Sequence, residues 1–148
     1  MGYISKEEFT SVINSNFTFE KNPHVGLSIS GGPDSMALLM LARDWIISKS
    51  GKITVFHFDH KIRKNSSKEA SWLKTYVSKL GIKFYLLSWD KDEKLAFNMK
   101  NAREARYEKI LEISNKLKII HLMTAHHYDD NLETYYMRKK RKSSTLGL

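Results

Sequence analysis

The stretch Ser30-Gly31-Gly32-Pro33-Asp34-Ser35 is the first in the sequence whose residue types could do chemistry. Two adjacent glycines let a backbone take unusual dihedrals and come close to a ligand. Their N–H groups can line a nest for oxyanions, and the Ser30 and Ser35 hydroxyls can add donors. A helix starting behind them would add unpaired N–H groups and the positive end of its dipole. Such a cradle suits phosphate. Asp34 is out of place in a plain anion site, and an acid there points to magnesium or to a cationic second substrate. The purely structural alternative is a Gly-Gly turn with Asp34 or Ser35 capping the helix. The chain contains no GxxxxGK[ST] and no GxGxxG, so the loop is neither a Walker loop nor a dinucleotide fingerprint.

A second cluster follows at Thr124-Ala125-His126-His127-Tyr128-Asp129-Asp130-Asn131-Leu132-Glu133. On a helix, His126 would share a face with Asp130, and Asp130 with Glu133. Three readings stand side by side. One is a divalent metal site of imidazole and carboxylate, although the spacing has no HExxH. Another is a carboxylate pocket for an ammonium group with a histidine close to phosphate. The last is a polar helix start whose acids favour the positive dipole end. Between the two clusters lie Asp59-His60-Lys61-Ile62-Arg63 and the pair Arg103 and Arg106. Asp59 could hold magnesium, or the stretch is a solvated loop. The arginines, three apart, could clamp phosphate bidentately, or pair with Glu104, Glu108 and Glu112 on a surface helix.

The hydrophobic pattern says what must position these residues. A capping box at Ser5 and Glu8 predicts a helix over 5–14. Apolar runs at 24–29, 53–58, 82–87 and 118–124 predict strands. Helical patterns lie between them at 36–47, from a second capping box at Ser66 and Glu69 to about Leu80, and at 98–116, with a last one at 128–140. Strands alternating with helices predict an α/β fold, a doubly wound, mainly parallel sheet with helices on both faces. In such sheets ligands bind beyond the carboxyl ends of the strands. The junctions after Ile29, Phe58 and Thr124, where the candidate residues stand, are those ends.

Composition bounds the rest. The chain has 148 residues, the size of one domain, and no cysteine, so neither a disulfide framework nor thiolate chemistry is available to it. No apolar run approaches the ~20 residues that span a bilayer, and no apolar signal core opens the sequence, so the default expectation is cytoplasmic with no membrane partner. The formal charge of +9 is unevenly spread: four basic residues face five acidic ones in 1–50, against 21 and 11 in 51–148. A basic excess suits an anionic partner, nucleic acid first, although lysine-rich genomic composition produces the same balance.

The Ser30–Ser35 string resembles the pyrophosphate loop of the PP-loop ATP-pyrophosphatase superfamily. Across residues 24–148 the chain resembles the tRNA(Ile)-lysidine synthetase family more closely. Asp59-His60, Ile62-Arg63, Ser66, Glu69 and Ala70 are similar to its DHxLRxxSxxEA run. Asn98, Ala102, Arg103, Arg106 and Tyr107 match the next block. Thr124-Ala125-His126-His127, Asp129-Asp130 and Glu133-Thr134 match TAHHxDDQxET, and Arg138, Arg141, Ser143 and Gly147-Leu148 match RLxRGSGxxGL. Lys139, Lys142 and Ser144 depart from that last block, where Leu, Gly and Gly are usual.

The resemblance implies a PP-loop ATP-binding catalytic domain over 1–148, cut short at its C-terminal end and without the family's C-terminal tRNA-binding domains. It implies ATP and Mg2+ as cofactors, tRNA(Ile) with a CAU anticodon and free L-lysine as substrates, and allows a homodimer. It implies that Ser30, Gly31, Gly32, Pro33, Asp34 and Ser35 hold pyrophosphate, and that Asp59 binds nucleotide and magnesium. Arg103 and His126 would stabilise charge during adenylation, and Asp34, Asp130 and Glu133 would hold the lysine ammonium. The alternatives are a remnant that binds ATP or tRNA without turnover, and another PP-loop tRNA-modifying enzyme.

Overall fold

A computed structural model describes residues 5–59, 65–88, 99–125 and 132–136. Helix α1 (Lys6–Asn16) opens with the expected capping box: the Glu8 amide donates to Ser5 Oγ at 3.1 Å, and the Ser5 amide to Glu8 Oε1 at 3.4 Å. Then come β1 (His24–Ser28), α2 (Pro33–Ser48), β2 (Lys52–Asp59), α3 (Ser66–Lys79), β3 (Lys83–Ser88), α4 (Met99–Leu117), β4 (His121–Ala125) and β5 (Leu132–Tyr136). Among the described residues no helix is long and apolar enough to cross a membrane.

The sheet runs β3-β2-β1-β4-β5. Its first four strands are parallel and β5 is antiparallel to β4. The chain moves outward from β1 through β2 to β3, then returns to the other side of β1 for β4. With right-handed crossovers, that reversal puts α2 and α3 on one face and α4 on the other. The packing agrees. Phe9 and Ile13 of α1, Leu39 and Trp45 of α2, and Leu73 and Val77 of α3 share a core with Val25, Leu27, Val55 and Met123. Ile110 of α4 packs with Phe56, Leu122 and Ile119 in a second, smaller one. β2 is buried at every position after Lys52, as a parallel strand covered on both faces must be.

Gly26, in the middle of β1, sets how closely that second layer packs. A Cβ there would stand 2.9 Å from Phe56 Cε2 and 3.3 Å from Leu122 Cδ1. The Phe56 ring, stacked on Tyr85 with centroids 5.8 Å apart, occupies the space that any side chain at position 26 would need.

Two expectations are corrected. The pattern at 128–140 predicts a helix, but the described part of that range, Leu132–Tyr136, is an edge strand. Thr134, Tyr135 and Tyr136 are strand formers, and an antiparallel neighbour of β4 needs only a short connection. The second capping box is also displaced: α3 is capped by Asn65 without a side-chain hydrogen bond, so Ser66 is already inside the helix. Its other end behaves as expected. Gly81, at φ +76°, donates to the Ser78 carbonyl while the Ile82 amide reaches Val77, closing the helix in a Schellman motif.

Two histidines lie near the amino edge of the sheet. His121 is buried against the Phe19 ring, centroids 4.4 Å apart, with Nδ1 3.8 Å from Glu20 Oε1. His24 Nε2 and Thr54 Oγ1 share a hydrogen bond of 2.7 Å. Burial lowers the pKa of both, helped at His24 by Lys52 and opposed at each by Glu20. The folded protein therefore binds fewer protons here than the unfolded chain, whose histidines titrate near 6.5. Stability from these sites is fully present above that value and is lost as pH falls below it.

Two predictions follow from this packing. Gly26→Ala lowers unfolding free energy by about 1–3 kcal/mol through overpacking, measured by urea unfolding; an unchanged midpoint contradicts the tight approach. Tm is level above pH 7 and declines below pH 6.5, and His121→Phe shallows that decline. An equal decline in the variant removes His121 from the effect.

Candidate functional site

The strand pairing sets the frame. Ser28 of β1 lies opposite Phe56 of β2 and Thr124 of β4 in one row, and Glu133 of β5 pairs with Thr124. Because β1, β2 and β4 are parallel, their carboxyl ends share one edge of the sheet. Strand order reverses between β1 and β4, the position at which an open α/β sheet forms a crevice. The Ser30–Ser35 loop leaves β1 there.

The loop is built by its own side chains. Gly31 has φ +96°, a backbone angle that L side chains rarely adopt. Its amide donates to Ser35 Oγ at 3.0 Å, and the Gly32 amide donates to Ser30 Oγ at 3.2 Å. Ser30 Oγ donates to Ser35 Oγ at 3.2 Å, and Ser35 Oγ donates to the Gly32 carbonyl at 3.0 Å. One donated and two accepted bonds saturate the Ser35 hydroxyl. Ser35 is buried, and it shapes the loop from inside, whereas Ser30 is exposed at its mouth. Gly32 caps α2 through its backbone, Pro33 is the first helical residue, and no side chain caps the helix. The first-turn amides and the positive dipole end thus face the loop without a capping oxygen. Asp34, half-buried, lies in that first turn.

Asp59 is buried at the last position of β2, with its Cα opposite Ser88. Arg103 lies in the first part of α4, which leads directly into β4. Glu133 is the second residue of β5, so it stands on a strand and not on the expected helix. His126 and Asp130 lie outside the described residues, as do His60, Arg63, His127 and Asp129. Among the described residues no group of three His, Cys, Asp or Glu side chains is arranged to hold a metal. The structure therefore brings together the loop, Asp34, the carboxyl end of β2 with Asp59, and the backbone of Glu133 along one edge.

One residue of the site escapes a reading by motif. His57, buried in β2, has Nδ1 2.8 Å from the carbonyl oxygen of Ile29, the residue before the loop. A carbonyl only accepts, so Nδ1 carries the proton. The Ile29 amide in turn donates to the Phe56 carbonyl at 2.9 Å. Both backbone groups of Ile29 are thus held by β2 where the chain turns into Ser30. The signal in the sequence is a single imidazole inside the apolar run ITVFHF, one strand away from the glycines.

Removing this tether should loosen the loop. His57→Leu costs about 1 kcal/mol of stability and speeds amide exchange of Gly31 and Gly32 severalfold. His57→Asn, whose side-chain amide keeps a donor near the Nδ1 position, restores most of both. Hydrogen exchange read by NMR checks this, and unchanged Gly31 exchange in His57→Leu contradicts it.

A family model described as the PP-loop domain matches residues 3–148. The tRNA(Ile)-lysidine synthase of Rickettsia bellii is 36% identical over 124 residues, covering 84% of this chain and 29% of the relative. That of Orientia tsutsugamushi is 33% identical over 130 residues, covering 88% and 30%. That of Rickettsia felis is 34% identical over 145 residues, covering 96% and 33%. The chain thus spans a third or less of the length of these relatives. Among solved structures, a U34-tRNA thiolase of Methanococcus maripaludis with its [4Fe-4S] cluster superposes with a TM-score of 0.64 at 19% identity, over 84% of this chain and 46% of that one. At that identity it shares the fold alone. With the family match running across the glycine loop and every described strand, the chain belongs to the PP-loop domain family.

Proposed function

We propose that the chain is the ATP-binding catalytic part of an enzyme that joins lysine to C2 of the wobble cytidine in tRNA(Ile) with a CAU anticodon. One observation carries this reading: a PP-loop stands at the β1/β4 reversal in a sequence 33–36% identical to tRNA(Ile)-lysidine synthases. The reaction proceeds in two displacements. The cytidine O2 attacks the α-phosphorus of ATP, and the bond to pyrophosphate breaks. The lysine ε-amine then attacks C2, the C2–O bond breaks, AMP leaves, and the amine gives up a proton.

The residues have matching tasks. Phosphate oxygens meet the exposed Ser30 hydroxyl and the amides of the first turn of α2, while Ser35 holds the Gly31-Gly32 turn in shape behind them. Arg103 and His126 offset the negative charge that builds at the α-phosphate. Asp34, Asp130 and Glu133 hold the lysine ammonium and take up its proton. Magnesium fits Asp59, a buried carboxylate at a strand end beside the phosphate loop, because this ion usually takes one or two carboxylates together with substrate phosphates; bound there it would neutralise pyrophosphate charge. Ligation of an amine also suits the composition, since these 148 residues offer no thiolate for a sulfur relay or cluster.

The test uses the 148-residue chain with ATP, Mg2+, the tRNA and lysine. ATP binds in calorimetry, and AMP forms only when tRNA and lysine are both present. Arg103→Ala lowers that rate at least tenfold with ATP affinity within a few fold. Absence of ATP binding overturns the site assignment. ATP binding without lysine-dependent AMP leaves a binding module and overturns the catalytic part.

A further inference from the structure

Several large apolar side chains are exposed singly, among them Val12, Ile47, Leu86 and Ile120, which is ordinary for a protein surface. Two others, Trp72 and Met40, meet the half-buried Tyr76 at the seam of α2 and α3. Trp72 is 56% exposed, and its ring stacks on Tyr76 with centroids 5.5 Å apart and planes at 20°. The Tyr76 hydroxyl donates to Met40 Sδ of α2 at 3.7 Å, and Met40 is itself 38% exposed. Tyr76, itself tied to Met40, thus braces the indole from one side and leaves more than half of it open.

The surroundings are cationic. Lys68 lies one turn before Trp72 and Lys79 three residues after Tyr76, so the four residues form one stripe along α3, and both lysines are exposed. Arg43 stands three residues after Met40 on α2, half-buried. The acids nearby are occupied or turned inward: Asp44 pairs with Lys6 of α1 at 3.5 Å, and Glu69 is half-buried. An apolar anchor of a protein partner would meet a rim of a single sign. A ligand that carries both a π-face and regularly spaced negative charge matches the stripe, and an unpaired nucleotide has both.

We propose that the Trp72–Tyr76 face of α3 is a stacking platform for an unpaired RNA base, with Lys68, Lys79 and Arg43 meeting the adjoining phosphates. The proposal rests on the reading of the protein as an RNA-modifying enzyme and adds a contact outside the glycine-loop crevice. α3 follows the carboxyl end of β2, and Trp72 lies about 9 Å along the helix from Ser66. The platform therefore lies within two helical turns of the edge of the sheet that carries the loop.

The test measures binding of the 148-residue chain to an RNA hairpin with a seven-nucleotide unpaired loop, and to a blunt RNA duplex, by fluorescence anisotropy at two salt concentrations. Trp72→Ala weakens hairpin binding about tenfold or more, with duplex binding, Tm and ATP affinity unchanged, and Trp72→Phe retains most of the affinity. Lys68→Glu with Lys79→Glu weakens the hairpin and flattens its salt dependence. Wild-type hairpin affinity in Trp72→Ala overturns the proposal, as does a change confined to self-association in sedimentation, which would make this face a protein interface. ATP titration of the same samples separates the two readings. A wild type that binds hairpin through Trp72 but not ATP sinks the catalytic reading and leaves the platform, and one that binds ATP but not hairpin does the reverse.

Discussion

The pairing of β1 with β2 on one side and β4 on the other is the constraint from which the site follows. Ser28, Phe56 and Thr124 lie in one row because the three strands are parallel and held in register. A slip of one residue would turn every side chain of β1 to the wrong face, moving Val25 and Leu27 out of the larger core and forcing a side chain into the space taken by Phe56. Gly26 therefore does more than permit close packing, because it makes the correct register the only one that fits. Every distance along the carboxyl edge, to Ser30, to Asp59 and to the end of β4, is counted from that row.

On this frame the loop is held from two directions. Ser35 ties Gly31 and Gly32 together from below, and His57 clamps the Ile29 carbonyl from the side. A nest of amides binds an anion well only if the amides already point inward when it arrives, since ordering them on binding would cost affinity. Much of the local hydrogen bonding is spent on that preorganisation. The exposed Ser30 hydroxyl, the Asp34 carboxylate and the first turn of α2 are the parts that face outward.

Much of this could be read from residue types alone, for reasons that differ by element. The capping box at Ser5 and Glu8 is a local interaction, so its sequence signature is complete in four residues. The run ITVFHFD is apolar because β2 is covered on both faces, and burial of that kind is written directly into the residues. β5 is not legible locally, because the acids at 129, 130 and 133 have helical spacing, whereas the strand exists through its pairing with β4, a partner that no local window contains. Asn65 displaced Ser66 as the cap of α3 by a single residue, the scale on which caps compete. The glycine loop is legible in residue types, but the inward role of Ser35 and the clamp at His57 depend on backbone positions that join residues five and 28 apart.

The basic excess of the chain also takes a more definite form. Its lysines in α3 are arranged around a stacked indole, so charge and aromatic surface coincide at one place on the molecule. The crevice at the β1/β4 reversal is where nucleotide should bind, and hydrogen exchange with and without ATP·Mg2+ tests this. Protection on adding nucleotide should concentrate in residues 29–36 and at the carboxyl ends of β2 and β4, with α1 and the amino edge of the sheet unchanged. Protection spread over α1, or none in residues 29–36 at saturating nucleotide, would contradict it.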